Sequence, residues 1–220
     1  DLGCEVPENI IKEIYAIKPD LVVTTKKYED KSLYKHYSDL MVTVKELDLL
    51  DSDTSIINML LTEGEDINEA IKKAALFKNL NILRIITNEQ VEVINLEPLA
   101  NHTGLEELLI GYKSGIKYRD VKPVLKAEAL QTIPNVKYLT FKELDVKDKD
   151  ISSLTGLKTL ILSFCKIDGV SFLSSCTNLY QLKMYGNSGG SSKDEKSMIN
   201  AFKDGYKKQK NLVYFTNYIE

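Results

Sequence analysis

Apolar side chains recur along this chain at a fixed short spacing. Leu157, Leu160 and Leu162 fall in the order L-x-x-L-x-L, and Leu179, Leu182 and Met184 repeat it 22 residues later. Between the two copies, Ile167, Val170, Leu173 and Cys176 come every third residue. The pattern extends towards the N-terminus through Val136, Leu139 and Phe141, then Leu105, Leu108 and Ile110, then Leu80, Leu83 and Ile85. A last copy runs from Leu212 to Phe215, and fainter ones fall at Tyr37, Leu40 and Val42 and at Ile57 with Leu60. The second and third apolar positions are two apart, so in a strand both side chains point to one face. No single copy buries that face alone. Copies stacked about 4.8 Å apart close a shared interior.

The pattern therefore predicts an α/β fold, a right-handed leucine-rich-repeat solenoid. A parallel sheet lines its concave side, with helices and 3-10 turns on the convex side. Longer coils leave room for helices. Helical spacing of apolar residues predicts them over Asp120 to Leu130, Ser191 to Gln209, Glu69 to Phe77 and Pro7 to Ile17. The last of these leads into a strand at Leu21 as an N-terminal cap. The organisation expected is a single repeat domain over 1–220: a cap and first faint coil over 1–36, irregular repeats over 37–79, clear repeats over 80–190, and a terminal helix and strand over 191–220. Three residues past the strand pattern, Asn88 and Asn187 can satisfy backbone groups with their amides. Cys165 takes that position in the copy before that of Asn187.

The stretch Ile151-Ser-Ser-Leu154-Thr-Gly-Leu157-Lys-Thr-Leu160-Ile-Leu162 resembles the repeat of internalin-type bacterial leucine-rich-repeat proteins, as does Leu96-Glu-Pro-Leu99-Ala-Asn-His-Thr-Gly-Leu105. The resemblance runs from Leu96 to Asn187 and more loosely back to Leu80. Several coils are longer than the family's, and Cys165 and Cys176 replace its Asn and Leu. It implies an extracellular or cell-surface protein whose concave face binds another protein. The alternative is a cytoplasmic leucine-rich-repeat scaffold or regulatory interaction domain.

Side chains between and just after the inward positions are expected to form that face. They include Ile86, Leu109, Tyr112, Tyr138, Ile161, Phe164, Tyr185, Tyr214 and Tyr218. Exposed aliphatic and aromatic groups in a strip, with tyrosines as rigid amphipathic contacts, suit a protein or glycan partner.

Composition narrows the rest. With 43% hydrophobic and 28% charged residues the chain reads as a globular domain, and a net charge of −3 argues against nucleic-acid binding. No apolar run approaches a membrane span, so membrane attachment is expected only through a lipid or wall anchor. Cys4, after Asp1-Leu2-Gly3, fits a bacterial lipidation site poorly, because Asp1 stands where an aliphatic residue is usual. His36 and His102 are the only histidines, and neither joins a metal or triad spacing, so no enzyme, cofactor or metal is expected. Asp145, Asp148 and Asp150 alternate with lysines and lack the glycine of a calcium loop. Gly186-Asn-Ser-Gly189-Gly190 lacks the Lys-Ser/Thr of a P-loop and reads as a flexible link. Asn101-His102-Thr103 matches a glycosylation acceptor, which the bacterial resemblance makes idle. A monomer is expected.

Overall fold

The alternation of inward and outward residues is realised as strands that stack rather than fold back on one another. The computed structural model describes residues 41–113, 122–185, 187–188, 211–212 and 214–218, with residue 185 and the last five described through their backbone. The chain divides into two units, 1–41 and 42–220, and apart from Met41 the described residues belong to the second. The helices expected over Pro7 to Ile17 and Ser191 to Gln209, with the Leu21 strand and the start of the Tyr37 copy, lie outside the described residues.

Twelve strands are found among the described residues: β1 (Met41–Val42), β2 (Ile56–Leu60), β3 (Ile82–Thr87), β4 (Val93–Asn95), β5 (Glu107–Tyr112), β6 (Val124–Lys126), β7 (Tyr138–Lys142), β8 (Asp145–Val146), β9 (Thr159–Ser163), β10 (Lys166–Ile167), β11 (Gln181–Tyr185) and β12 (Tyr214–Tyr218). Helices α1 (Ile67–Ala74), α2 (Asp148–Ser152) and α3 (Phe172–Ser175), with three 3-10 segments, occupy the returns. An eight-stranded sheet runs β1-β2-β3-β5-β7-β9-β11-β12, and a four-stranded sheet runs β10-β8-β6-β4. The pairings from β2 to β12 in the larger sheet and all those in the smaller one are parallel.

The register lines up equivalent residues of successive coils. Leu83, Leu108, Leu139, Leu160 and Leu182 stand in one cross-strand row. Ile85, Ile110, Phe141, Leu162 and Met184 stand in the next. All ten are buried. From the smaller sheet, Ile94, Leu125, Val146 and Ile167 bury against the same core. The third-residue series Ile167, Val170, Leu173 and Cys176 is buried as well. At the far end Phe215 pairs with Leu182, which makes the expected last copy a strand of the same sheet.

Two expectations need correction. The helix expected over Asp120 to Leu130 is replaced, in its described part, by β6 and a 3-10 segment at Glu128–Thr132. Val124 and Lys126 face solvent while Leu125 is buried, a period of two, because pairing with β4 outweighs local helical spacing. In the Ile57 copy the inward pair is Ile57 and Met59, and Leu60 points outward. The helix expected from Glu69 is found as α1, starting at Ile67 where the Asp66 carboxylate accepts from Asn68 N–H.

Two polar devices close the stack. Asn68 donates from Nδ2 to Val93 O (3.0 Å) and accepts from Asn95 N–H (2.8 Å), so one amide pairs along β4 as a further strand would. Asn79, Asn135, Asn178 and Asn211 each stand immediately before the first apolar residue of a copy. The last three donate to the carbonyls of Thr103 (2.6 Å), Thr155 (2.9 Å) and Thr177 (3.2 Å) in the preceding coil. In the remaining copies Gly104 and Gly156 hold the same place. Asn or Gly before the first leucine was thus a legible signal that the apolar spacing alone does not reveal.

Asp150, in the first turn of α2, is 1% exposed and neither carboxylate oxygen has a hydrogen-bond partner. Burial pushes its carboxyl above the usual aspartate range, Glu128 and Asp168 push it the same way, and Lys149 and Lys147 oppose them. A raised folded-state value means stability that is complete below the unfolded aspartate value and is lost as pH rises through the folded one. Asp150→Asn is therefore expected to stabilise the protein by about 1 kcal/mol or more at neutral pH. The gain should shrink as pH falls towards 4, which paired urea titrations across that range would check. An equal effect at both ends of the range would refute this account.

Candidate functional site

Positions that alternate with the inward ones form three parallel rows across the concave side of the larger sheet. The first includes Ile82, Glu107, Tyr138, Thr159, Gln181 and Tyr214. The second includes Arg84, Leu109, Thr140, Ile161, Lys183 and Thr216, and the third Ile86, Gly111, Lys142, Ser163, Tyr185 and Tyr218. The rows exist because strands in register repeat the same inward–outward choice at each step.

Of the expected contact residues, Leu109, Tyr138 and Ile161 lie on these rows with surface available. Tyr138 is 36% exposed and the other two are half-buried. Phe164, just past β9, is half-buried too. Ile86 lies on the outer side of the sheet but is only 8% exposed, so it offers little surface. Tyr185, Tyr214 and Tyr218 take outward register positions through their backbone.

Tyr112 is a correction. Its side chain is fully buried in the core, with its hydroxyl oxygen 3.5 Å from Val91 N. Tyr112 shares the parity of Leu108 and Ile110, and β5 continues as a strand far enough for that parity to hold. Phe164 occupies the equivalent place two residues past Leu162, yet it stays near the surface because its backbone turns to φ +53°. Glu143 does the same after β7, at φ +59°. One left-handed residue ends the alternation and frees the side chain from the interior.

Charges on the face are held differently at its two ends. Arg84 grips Glu107 with both forks, Nε to Oε1 at 2.6 Å and Nη2 to Oε2 at 2.7 Å. Its Nη1 donates to Asn58 Oδ1 at 3.0 Å. Such bidentate pairs fix geometry more firmly than single lysine contacts. Further along, half-buried Lys142 is held below the usual lysine range by desolvation, which Glu143 partly offsets.

At the strand ends the expected amide role is found. Asn187 accepts from Cys165 N–H (2.7 Å) and donates to Leu162 O (2.8 Å). One coil earlier, Cys165 Sγ donates to Phe141 O at 3.4 Å, so the thiol reproduces the donating half of the asparagine contact. Ser188 continues the pattern, donating from its N–H to Cys165 O (2.9 Å). Those two residues of the glycine-rich stretch are thus tied into the solenoid. Burial pushes the Cys165 thiol up to about 11 and the Cys176 thiol up to about 12. Neither supplies a thiolate nucleophile at neutral pH. Cys4 lies outside the described residues.

His102 Nε2 lies 2.8 Å from Ala75 O, at the C-terminal end of α1. A carbonyl only accepts, so this nitrogen carries the proton and the ring ties two coils together. Among the described residues, no cluster of three or more His, Cys, Asp or Glu is placed to hold a metal ion. No helix among them is long and apolar enough to cross a membrane.

Parallel coils with aligned aliphatic rows inside, returns on one side and a continuous strand face on the other define a leucine-rich-repeat solenoid. Among solved structures the chain is similar to internalin C2 of Listeria monocytogenes, with 15% sequence identity over 81% of this chain and 76% of that one and a TM-score of 0.49. It is similar also to the internalin InlF of the same organism, at 17% identity over 96% and 68% of the respective chains with a TM-score of 0.45. No protein-family model and no curated protein sequence matches the chain.

Proposed function

We propose that this is a binding module that recognises a protein partner with the concave face of its larger sheet. The observation that carries the reading is the continuity of the outward rows across seven strands, from β2 to β12. Along them, partly exposed Leu109, Tyr138 and Ile161 are interleaved with the half-buried hydroxyls of Thr140 and Ser163, while Asn58, Thr159 and Gln181 on the same rows are buried. Apolar and aromatic groups on a rigid backbone lose little freedom on contact, which favours a protein surface over a glycan. Half-buried Phe164 extends the surface, and the backbone positions of Tyr185, Tyr214 and Tyr218 continue the outward rows. The setting we assign is extracellular or cell-surface, on the internalin-like form of the Leu96 and Ile151 repeats.

The test is a comparison of three immobilised proteins in an extract of the native environment. One is the unaltered chain. The second carries Tyr138→Ala with Ile161→Arg on the face, and the third carries Leu49→Arg with Leu76→Arg away from it. Leu49 and Leu76 are 83% and 77% exposed and lie outside the sheet, so they serve as controls. A genuine partner should be lost by the face variant, keep binding to the control, and bind the purified chain in return. Partners retained equally by both variants would overturn the reading.

A further inference from the structure

One carboxyl stands inside the solenoid at a level where the neighbouring coils bury apolar groups. Counted from the first apolar residue of each copy, Asp150 is level with Ala129 of the coil before and Phe172 of the coil after, and both of those are buried. Asp150 is 1% exposed, and neither of its oxygens meets a hydrogen-bond donor. The 3-10 segment at Glu128–Thr132 brings Glu128 towards it, and the loop before α3 brings Asp168. Lys147, Asp148 and Lys149 come from α2 and its cap, and α3 carries no charged residue. Both lysines stand exposed, so no cation follows the carboxyl inside. The Asp148 carboxylate is already engaged, accepting from Ser171 N–H (2.8 Å) and Phe172 N–H (2.9 Å).

An ionised carboxylate buried without donors costs far more than the protonated acid. The element that holds it is slight: α2 has five residues, and its cap Lys147 makes no side-chain hydrogen bond. A single turn of this kind opens more readily than the strands beneath it. We propose that α2 is an acid-closed latch on the convex side. With the Asp150 carboxyl protonated, the turn lies shut against the 3-10 segment and α3. With it ionised, the turn swings out and hydrates the carboxylate while both sheets keep their register. The latch is independent of the binding role assigned above. Its direction follows from linkage: the closed form holds the proton more tightly, so low pH favours closing. The opening constant grows by up to about tenfold per pH unit above the ordinary aspartate value of about 4, and levels off once the closed form is also ionised.

A buried thiol reports the motion. Cys176 Sγ donates to Ile151 O, within α2, at 3.5 Å, and the side chain is fully buried. Opening α2 removes that acceptor and uncovers the sulfur. Cys165, whose Sγ donates to Phe141 O in β7, is held by the sheet and stays covered. The probe is a pyridyl disulfide, which reacts with thiols even at acid pH, applied to the full chain with site-resolved mass spectrometry. Rates are divided by those of the urea-unfolded chain at the same pH, which removes the thiol's own titration. By this measure Cys176 is expected to react several-fold faster at about pH 7 than at about pH 4, while Cys165 changes little. In Asp150→Asn the pH dependence should vanish and Cys176 should stay slow. Asp150→Ala, which copies Ala129 at the same level, should behave alike and guards against a packing defect of the amide. A Cys176 rate that is flat or falls with pH, a Cys165 rate that rises in step with it, or a pH dependence that survives in both variants would each overturn the latch.

Discussion

Leu160→Ala should lower the unfolding free energy by about 2–5 kcal/mol, measured by urea denaturation at neutral pH. Leu160 is fully buried and stands between Leu139 and Leu182 in the inward row. Truncation opens a cavity that neighbours on both sides line, and strands locked in register cannot collapse into it. Because each coil rests only on the next, the loss should also divide the stack. Hydrogen exchange would rise first in β9 and β11. A change near zero would mean that the inward row does not form the core.

Gly111→Ala should cost about 1–3 kcal/mol or more and loosen the face. A Cβ at Gly111 would lie 2.5 Å from Lys142 Cβ and 2.9 Å from Lys142 O. The second of these is backbone, so a rotamer change cannot relieve the clash and β5 and β7 must separate. Gly111 therefore sets how closely the strand carrying Lys142 approaches its neighbour, and the variant should weaken partner binding beyond its loss of stability. Thermal unfolding together with partner capture by the immobilised variant would show both effects. An alanine variant as stable as the parent would mean that the two strands are not packed this tightly.

The interior was legible because stacking makes one demand of every coil. Leu108, Leu139, Leu160 and Leu182 had to be large, apolar and two residues from a similar partner, and the chain displays that spacing openly. The outer rows follow from the same alternation, which is why the outward register of Leu109, Tyr138 and Ile161 could be read from the chain. Segments with weaker repetition were harder. At Val124–Lys126 a helical spacing of apolar residues competed with a three-residue strand, and parallel pairing with Val93–Asn95 decided it. At Ile57 a single copy fitted two registers, and only its pairing with β3 selected the one that turns Leu60 outward.

By itself, then, the sequence determined that this chain is a stack of parallel coils, since aliphatic rows with this period bury their surface in no simpler way. Which aromatic side chains reach the face was decided by tertiary structure. Tyr112 and Phe164 hold the same place in their repeats. One continues a strand into the core, and the other sits on a left-handed residue that turns it back towards the surface. The difference lies in a single backbone torsion, set by how far β5 and β9 pair with their neighbours, and no residue type at either position announces it.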